Sequence, residues 1–328
     1  MSVSEHSLRG NGAAAVTLGK PIRILVALGY GALLAGLPLL KLSDRMNYLA
    51  YPTDSFLLLA KYIVTGPLAV LSNAPLWLLL NGALGLMLSP EHALRLLIFV
   101  QAVAVAYVLL KAESKSWLLV ILLLFIPEFI ENFSIHLRQG MGITVFLLGW
   151  FSSSRVRRWL LIGASPFIHE SFAFVVVLYV MTEVMKKLRL ADDVKTTVII
   201  LVSIAMSLGL VVIAKFVGAR QAAEYNLDAT AVSGAAFIVW SAVLCLFLLE
   251  RGDLGRNYDL SLAAVTFYLG AYFLIKPSGR IFESMLPLVF LCGLRLTNWR
   301  RIMFLWLTLT LAVLSWAVAL GNPGHSFI

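Results

Sequence analysis

Along most of this chain apolar residues run on without a polar period. They neither alternate as a half-buried strand does nor keep to one helical face. The runs 196–214, 229–249 and 302–320 carry no charged residue at all. A hydrocarbon core about 30 Å thick needs roughly 20 apolar residues per crossing helix, and these runs match that length. In lipid only helices and closed barrels satisfy their own backbone polar groups. Runs of this kind lack the alternation of a barrel strand. The pattern therefore predicts an all-α, polytopic integral membrane protein.

Further apolar runs lie at 22–40, 55–71, 74–88, 93–110, 117–130, 139–151, 159–167, 172–181, 260–275 and 285–294. Together they predict about 11–13 membrane segments, several short or broken, around an outward-facing cavity. The run 55–71 is interrupted by Lys61 and Gly66-Pro67, so it either spans or lies at the interface. The stretch 41–54 reads as a polar loop. No internal repeat or linker divides the chain, which predicts a single domain over 1–328 with a polar cytoplasmic tail at 1–20. The first run, 22–40, reads as a retained helix and not a signal peptide.

Composition sharpens this picture. The chain is 60% hydrophobic and 13% charged, against about 25% charged in a soluble domain. Its formal net charge of +9 reads as the accumulation of Lys and Arg in cytoplasmic loops, not as nucleic-acid binding. The clusters at 155–158, 186–189, 251–256 and 295–301 are then cytoplasmic. Two of them flank 159–181, so that region leaves and returns as a hairpin of short arms turning near 166–171. Counting passes outward places 44–54, 132–138, 166–171, 220–228 and 276–283 together on the opposite face. Cys245 and Cys292 fall inside apolar runs and read as small core residues.

Ionisable groups within or at the ends of membrane spans are functional candidates by default. Arg138 heads a short apolar segment, where a guanidinium fork suits phosphate or carboxylate and a snorkelling anchor is the plainer reading. Gln139 beside it is either a second donor or helix surface. His169 and Glu170 sit at a Pro-containing break, placed either to accept a proton and stabilise charge or to neutralise each other in an exposed turn. Ser171 reads as the N-cap of the next helix. Arg280 is either a second phosphate clamp or the partner of Glu283. Asp44, Arg45 and Tyr48 form one outer cluster, and Arg220, Glu224 and Tyr225 another. No His or Cys pair has metal-ligand spacing, which leaves Asp44 with Asp54 as a remaining arrangement for magnesium. No cofactor is expected.

The central stretch resembles the EpsG/Wzy-type bacterial polysaccharide polymerases. In that family Asn-x-x-Arg-Gln-x-x-Ala opens one helix, and after a basic loop an apolar run ends in His-x-Ser. Arg138-Gln139 and His169-Glu170-Ser171 are similar, as are Asp44 with Tyr48 in an early loop and Arg280 ahead of a late helix. The Ala after Arg-Gln and the Gly before the early Asp are absent here. The resemblance implies a bacterial inner-membrane glycosyltransferase joining undecaprenyl-pyrophosphate-linked oligosaccharide repeats at the periplasmic face, toward exopolysaccharide, O-antigen or capsule. It implies that Arg138 and Arg280 hold the donor pyrophosphate with Arg220 as a third cation, and that His169 or Glu170 takes the acceptor proton. A chain-length regulator and a flippase of the same pathway are the implied partners. Two other classes share the basic cavity: a flippase of lipid-linked glycans, and a membrane O-acyltransferase of polysaccharide.

Overall fold

The computed structural model describes residues 17–38, 45–216, 234–250, 254–273 and 278–321. Their regular structure is helical, with no strand among them. Prolines set many of the helix starts, because Pro at the first turn forfeits only an amide that has no intrahelical partner there. The chain begins with α1 (Lys20–Ala35) and α2 (Arg45–Thr65). Next come α3 (Pro67–Ser72), α4 (Pro75–Gly85) and α5 (Pro90–Ala112), each opened by its proline. The polar stretch expected as a loop over 41–54 is thus helical from Arg45 onward. Tyr48 and Tyr51, three residues apart, both pack edge-on against Trp77 of α4, with ring centroids 6.0 and 5.8 Å away.

The run 117–130 does not form one straight segment. It divides into α6 (Trp117–Leu124) and α7 (Pro127–Ser134), bent by 75° at the intervening break. Pro127 cannot continue the α6 ladder and so restarts it in a new direction. Then follow α8 (Leu137–Trp150), α9 (Arg155–Ala164), a 3-10 turn at Ser165–Phe167, and α10 (Ser171–Lys187). The remaining helices are α11 (Asp192–Phe216), α12 (Ala235–Leu249), α13 (Tyr258–Ala271), α14 (Ser278–Glu283), α15 (Leu286–Gly293) and α16 (Asn298–Gly321). Within 276–283, placed by the sequence on the outer face, Ser278–Glu283 form the short helix α14. Of the two cysteines, Cys292 is buried as expected, whereas Cys245 is exposed.

Two of the described helices, α5 and α16, are long and apolar enough to cross a membrane, and the bent pair α6–α7 adds a third if counted as one span. They differ in surroundings: the most apolar window of α5 is 61% buried within the protein and that of α16 only 11%.

The hairpin expected over 159–181 is present. Trp159 and Tyr179, on either side of the break, bring their ring centroids to 5.3 Å. Trp159 lies five residues before the end of α9 and Tyr179 eight residues into α10, so the chain turns back at the break far enough for the two rings to meet. Tyr179 also meets Trp150 edge-on at 5.5 Å. Basic groups gather at this open end. Arg158 donates to the Ser152 carbonyl at 2.9 Å, and Arg256 to the Trp150 carbonyl at 2.6 Å. The Arg256 guanidinium also lies 4.2 Å over the Trp150 ring, a cation–π contact. Lys195 reaches Asp259 at 3.5 Å, linking the region after α10 to α13. Arg138, at the other end of α8, is about 18 Å away at 1.5 Å per residue.

Small residues let α8 lie close to its neighbours. A Cβ at Gly140 would collide with the Asn132 carbonyl of α7. One at Gly142 would stand 2.5 Å from Phe172 Cε2 and 3.4 Å from His169 Cβ. Phe172 is fully buried and has nowhere to retreat. Gly142→Leu is therefore expected to destabilise the protein by about 1–3 kcal/mol through overpacking, lowering its thermal unfolding midpoint in detergent. Gly163→Ala, where nothing lies within 4 Å of the added Cβ, should leave the midpoint within a degree or so of the parent.

Candidate active site

The start of α8, the break before α10 and the helix α14 meet at the end of the molecule opposite the arginine-rich turns. Arg138 opens α8 at its second residue, one turn below the tight Ile135–His136 connection from α7. Its guanidinium pairs with Glu170 at 3.1 Å, with the two side chains 15% and 23% exposed. Residues separated by 32 positions are thus held as one partly desolvated ion pair.

Gln139, the next residue, is buried. Its Nε2 donates to the Arg280 carbonyl at 2.8 Å and to Ser284 Oγ at 3.4 Å. The amide offered by the sequence as a substrate donor is therefore engaged in tying α8 to α14. Ser284 in turn lies 2.9 Å from Ser171 Oγ, and Ser171 Oγ lies 2.7 Å from His169 Nδ1. A buried polar chain runs from Gln139 through Ser284 and Ser171 to His169.

This chain decides which imidazole nitrogen carries the proton. The Ser171 backbone N–H donates to His169 Nδ1 at 3.2 Å, so Nδ1 is an acceptor and the neutral ring is protonated at Nε2. Burial lowers the His169 pKa to about 4, with Arg138, Arg280 and His136 adding to the effect and Glu170 opposing it. His169 is then neutral near pH 7 and offers a donor, not a free base. Burial alone would push Glu170 up, but His169 and Arg138 beside it hold its carboxyl below the ordinary carboxylate value. Glu170 is ionised.

The serine at 171 is not the helix cap that its position suggested. Glu170 takes the cap position without a side-chain cap bond, and the Ser171 hydroxyl is engaged by His169 and Ser284. Arg280 is exposed on α14, and it forms no ion pair with Glu283 among the described residues. Its charge acts on both His169 and Glu170.

The early cluster reaches the site only in part. Asp44 lies outside the described residues, and so does Arg220 with Glu224 and Tyr225. Tyr48 is half-buried in α2 and packs on Tyr51 and Trp77. Those last two rings, with Tyr62 and Asn73, border a recess of about 10 Å³ beside Arg138, room for about one water. Tyr48 is thus one aromatic ring removed from Arg138. Arg45, grouped with it in the sequence, is buried and donates to the Ser134 carbonyl, binding α2 to the end of α7.

Ser284 is the residue that sequence reasoning passed over. Its only sequence signal is a position one turn after Arg280, where the helical repeat puts both on one side of the segment. No group of His, Cys, Asp or Glu suited to a metal occurs among the described residues. No protein family model matches the chain, and no curated protein or solved structure is significantly similar to it.

Proposed function

We propose that this protein is a polytopic inner-membrane glycosyltransferase that polymerises polyprenyl-pyrophosphate-linked oligosaccharide repeats at the periplasmic face. The observation that carries this reading is the meeting of Arg138, His169, Glu170 and Arg280 at one end of the fold. The arginine-rich turns gather at the other end. In a membrane this separation fits the positive-inside rule, with the site facing outward and the short helices around it as broken spans lining a cavity.

The chemistry asks for two things that these residues supply. An acceptor sugar hydroxyl attacks the anomeric carbon of the donor, and the bond from that carbon to the pyrophosphate oxygen breaks. The electron pair leaves with the polyprenyl pyrophosphate, whose growing charge needs fixed cations. Arg138 and Arg280 take that role. The acceptor proton goes to Glu170, which is ionised, while His169 donates from Nε2 and orients a substrate oxygen. Arg138 is paired with Glu170 in the resting site, so an incoming pyrophosphate shares the guanidinium and leaves the carboxylate available as a base.

A deletion strain is the direct test. Its surface polysaccharide should lose the long-chain species and its membranes should accumulate single repeat units on outward-facing lipid carrier. Accumulation of the same intermediate on the cytoplasmic face would identify a flippase instead. Loss of acyl groups with chain length unchanged would identify an acyltransferase.

A further inference from the structure

The helices α6 and α16 both begin among basic residues and run in the same direction away from them. Polar contacts at both ends clamp them. At the basic end Arg301 of α16 donates to Ser116 Oγ, immediately before α6, at 3.2 Å. At the far end Trp316 Nε1 donates to the Phe125 carbonyl at 3.2 Å, and Ser315 bonds to Glu128. Between the clamps the walls stay apart and enclose a groove of about 380 Å³. Its lining is almost wholly apolar, with Leu119, Leu122 and Leu123 on one side and Leu305, Leu309 and Ala312 on the other, and Phe290 at its floor.

Charge at the mouth is unevenly satisfied. Arg295 pairs with Glu113 at 2.5 Å, and Arg300 with Glu250 at 3.2 Å. Arg301 and the exposed Lys115 form no ion pair among the described residues. Arg301 also shares the groove-facing stripe of α16, since 301, 305, 308, 309, 312 and 316 follow helical spacing. Arg301 thus stands one helical turn beyond Leu305 of the trough lining, and Lys115 one turn before Leu119.

The dimensions match one leaflet. Leu305 to Trp316 spans about 17 Å at 1.5 Å per residue, against about 15 Å for half of a hydrocarbon core about 30 Å thick. The groove lies between α16 and the bent pair α6–α7, both of them candidate membrane spans. We infer that this groove holds one acyl chain of an anionic phospholipid, with its headgroup phosphate at Arg301 and Lys115. A polyprenyl tail, several-fold longer, would overrun it, and the cations stand at the end away from Arg138. The site fills the gap that α16, so little buried by the protein itself, leaves beside α6. The inference depends on membrane embedding but not on the polymerase reading.

Native mass spectrometry of the full chain released from nanodiscs tests it. From phosphatidylglycerol discs the protein should retain one lipid, and from phosphatidylcholine discs at least fivefold less. Arg301→Gln with Lys115→Gln should reduce phosphatidylglycerol retention at least fivefold, and Ala312→Trp, which fills the trough, should do the same. The charge variant alone suffices if the tryptophan variant fails to fold. Equal retention of the two phospholipids, undiminished retention in the charge variant, or displacement of the bound lipid by polyprenyl phosphate would overturn the assignment.

Discussion

Arg138→Ala is expected to lower polymerisation on the order of 10²–10³-fold, the usual cost of removing one fixed donor from a site where negative charge develops. The variant should still insert and fold, because Gln139, Ser284 and Ser171 carry the contacts that join α8, α10 and α14. Arg138→Lys should recover only a small part of the loss. A lysine is a point charge without the guanidinium fork, and it cannot serve Glu170 and a phosphate oxygen in the same plane. The readout is the chain-length ladder of polysaccharide made by reconstituted protein from lipid-linked repeats, beside the amount of folded protein. Long chains from a well-folded Arg138→Ala variant would remove Arg138 from the mechanism.

Glu170→Gln separates a base from an anchor. The amide oxygen still accepts a hydrogen bond from Arg138, so a residue that merely holds the arginine loses little by this change. A general base loses its function, and the expected drop is about 10²–10⁴-fold. The pH profile carries the same information with a definite sign. The base form exists above the Glu170 pKa and is lost as pH falls through it. Because that pKa lies below the ordinary carboxylate value of 4.5, the rate should stay level from neutral pH down to that value and fall only beyond it. His169→Asn keeps a donor side chain and should cost far less than Glu170→Gln. The opposite ranking, or an acidic limb near the ordinary imidazole value of about 6.5, would make His169 the base.

The helical class and the break at 165–170 were legible because each depends on local chemistry. Apolar runs without alternation leave only helices, and Pro166 with the polar His169-Glu170 marks where a helix stops. The turning back of 159–181 also followed from the arginines on either side of it. The loop at 41–54 was misread, and the helix α14 went unmarked, because α2 from Arg45 and α14 gain their apolar faces from partners far away in sequence. Tyr48 and Tyr51 find Trp77, while Ile281 and Phe282 of α14 are buried in the core.

What the chain determines by itself is a matter of neighbours: which stretches are helical, where prolines restart them, and which end collects positive charge. The tertiary structure decided the pairing of Arg138 with Glu170 across 32 residues, and of Gln139 with Ser284 across 145. It also decided which nitrogen of His169 holds a proton, which shifts the proposed base to Glu170. Pattern along a sequence specifies the face that a residue presents. It does not specify what a different helix brings against that face, since that depends on packing among elements that only the folded chain brings together.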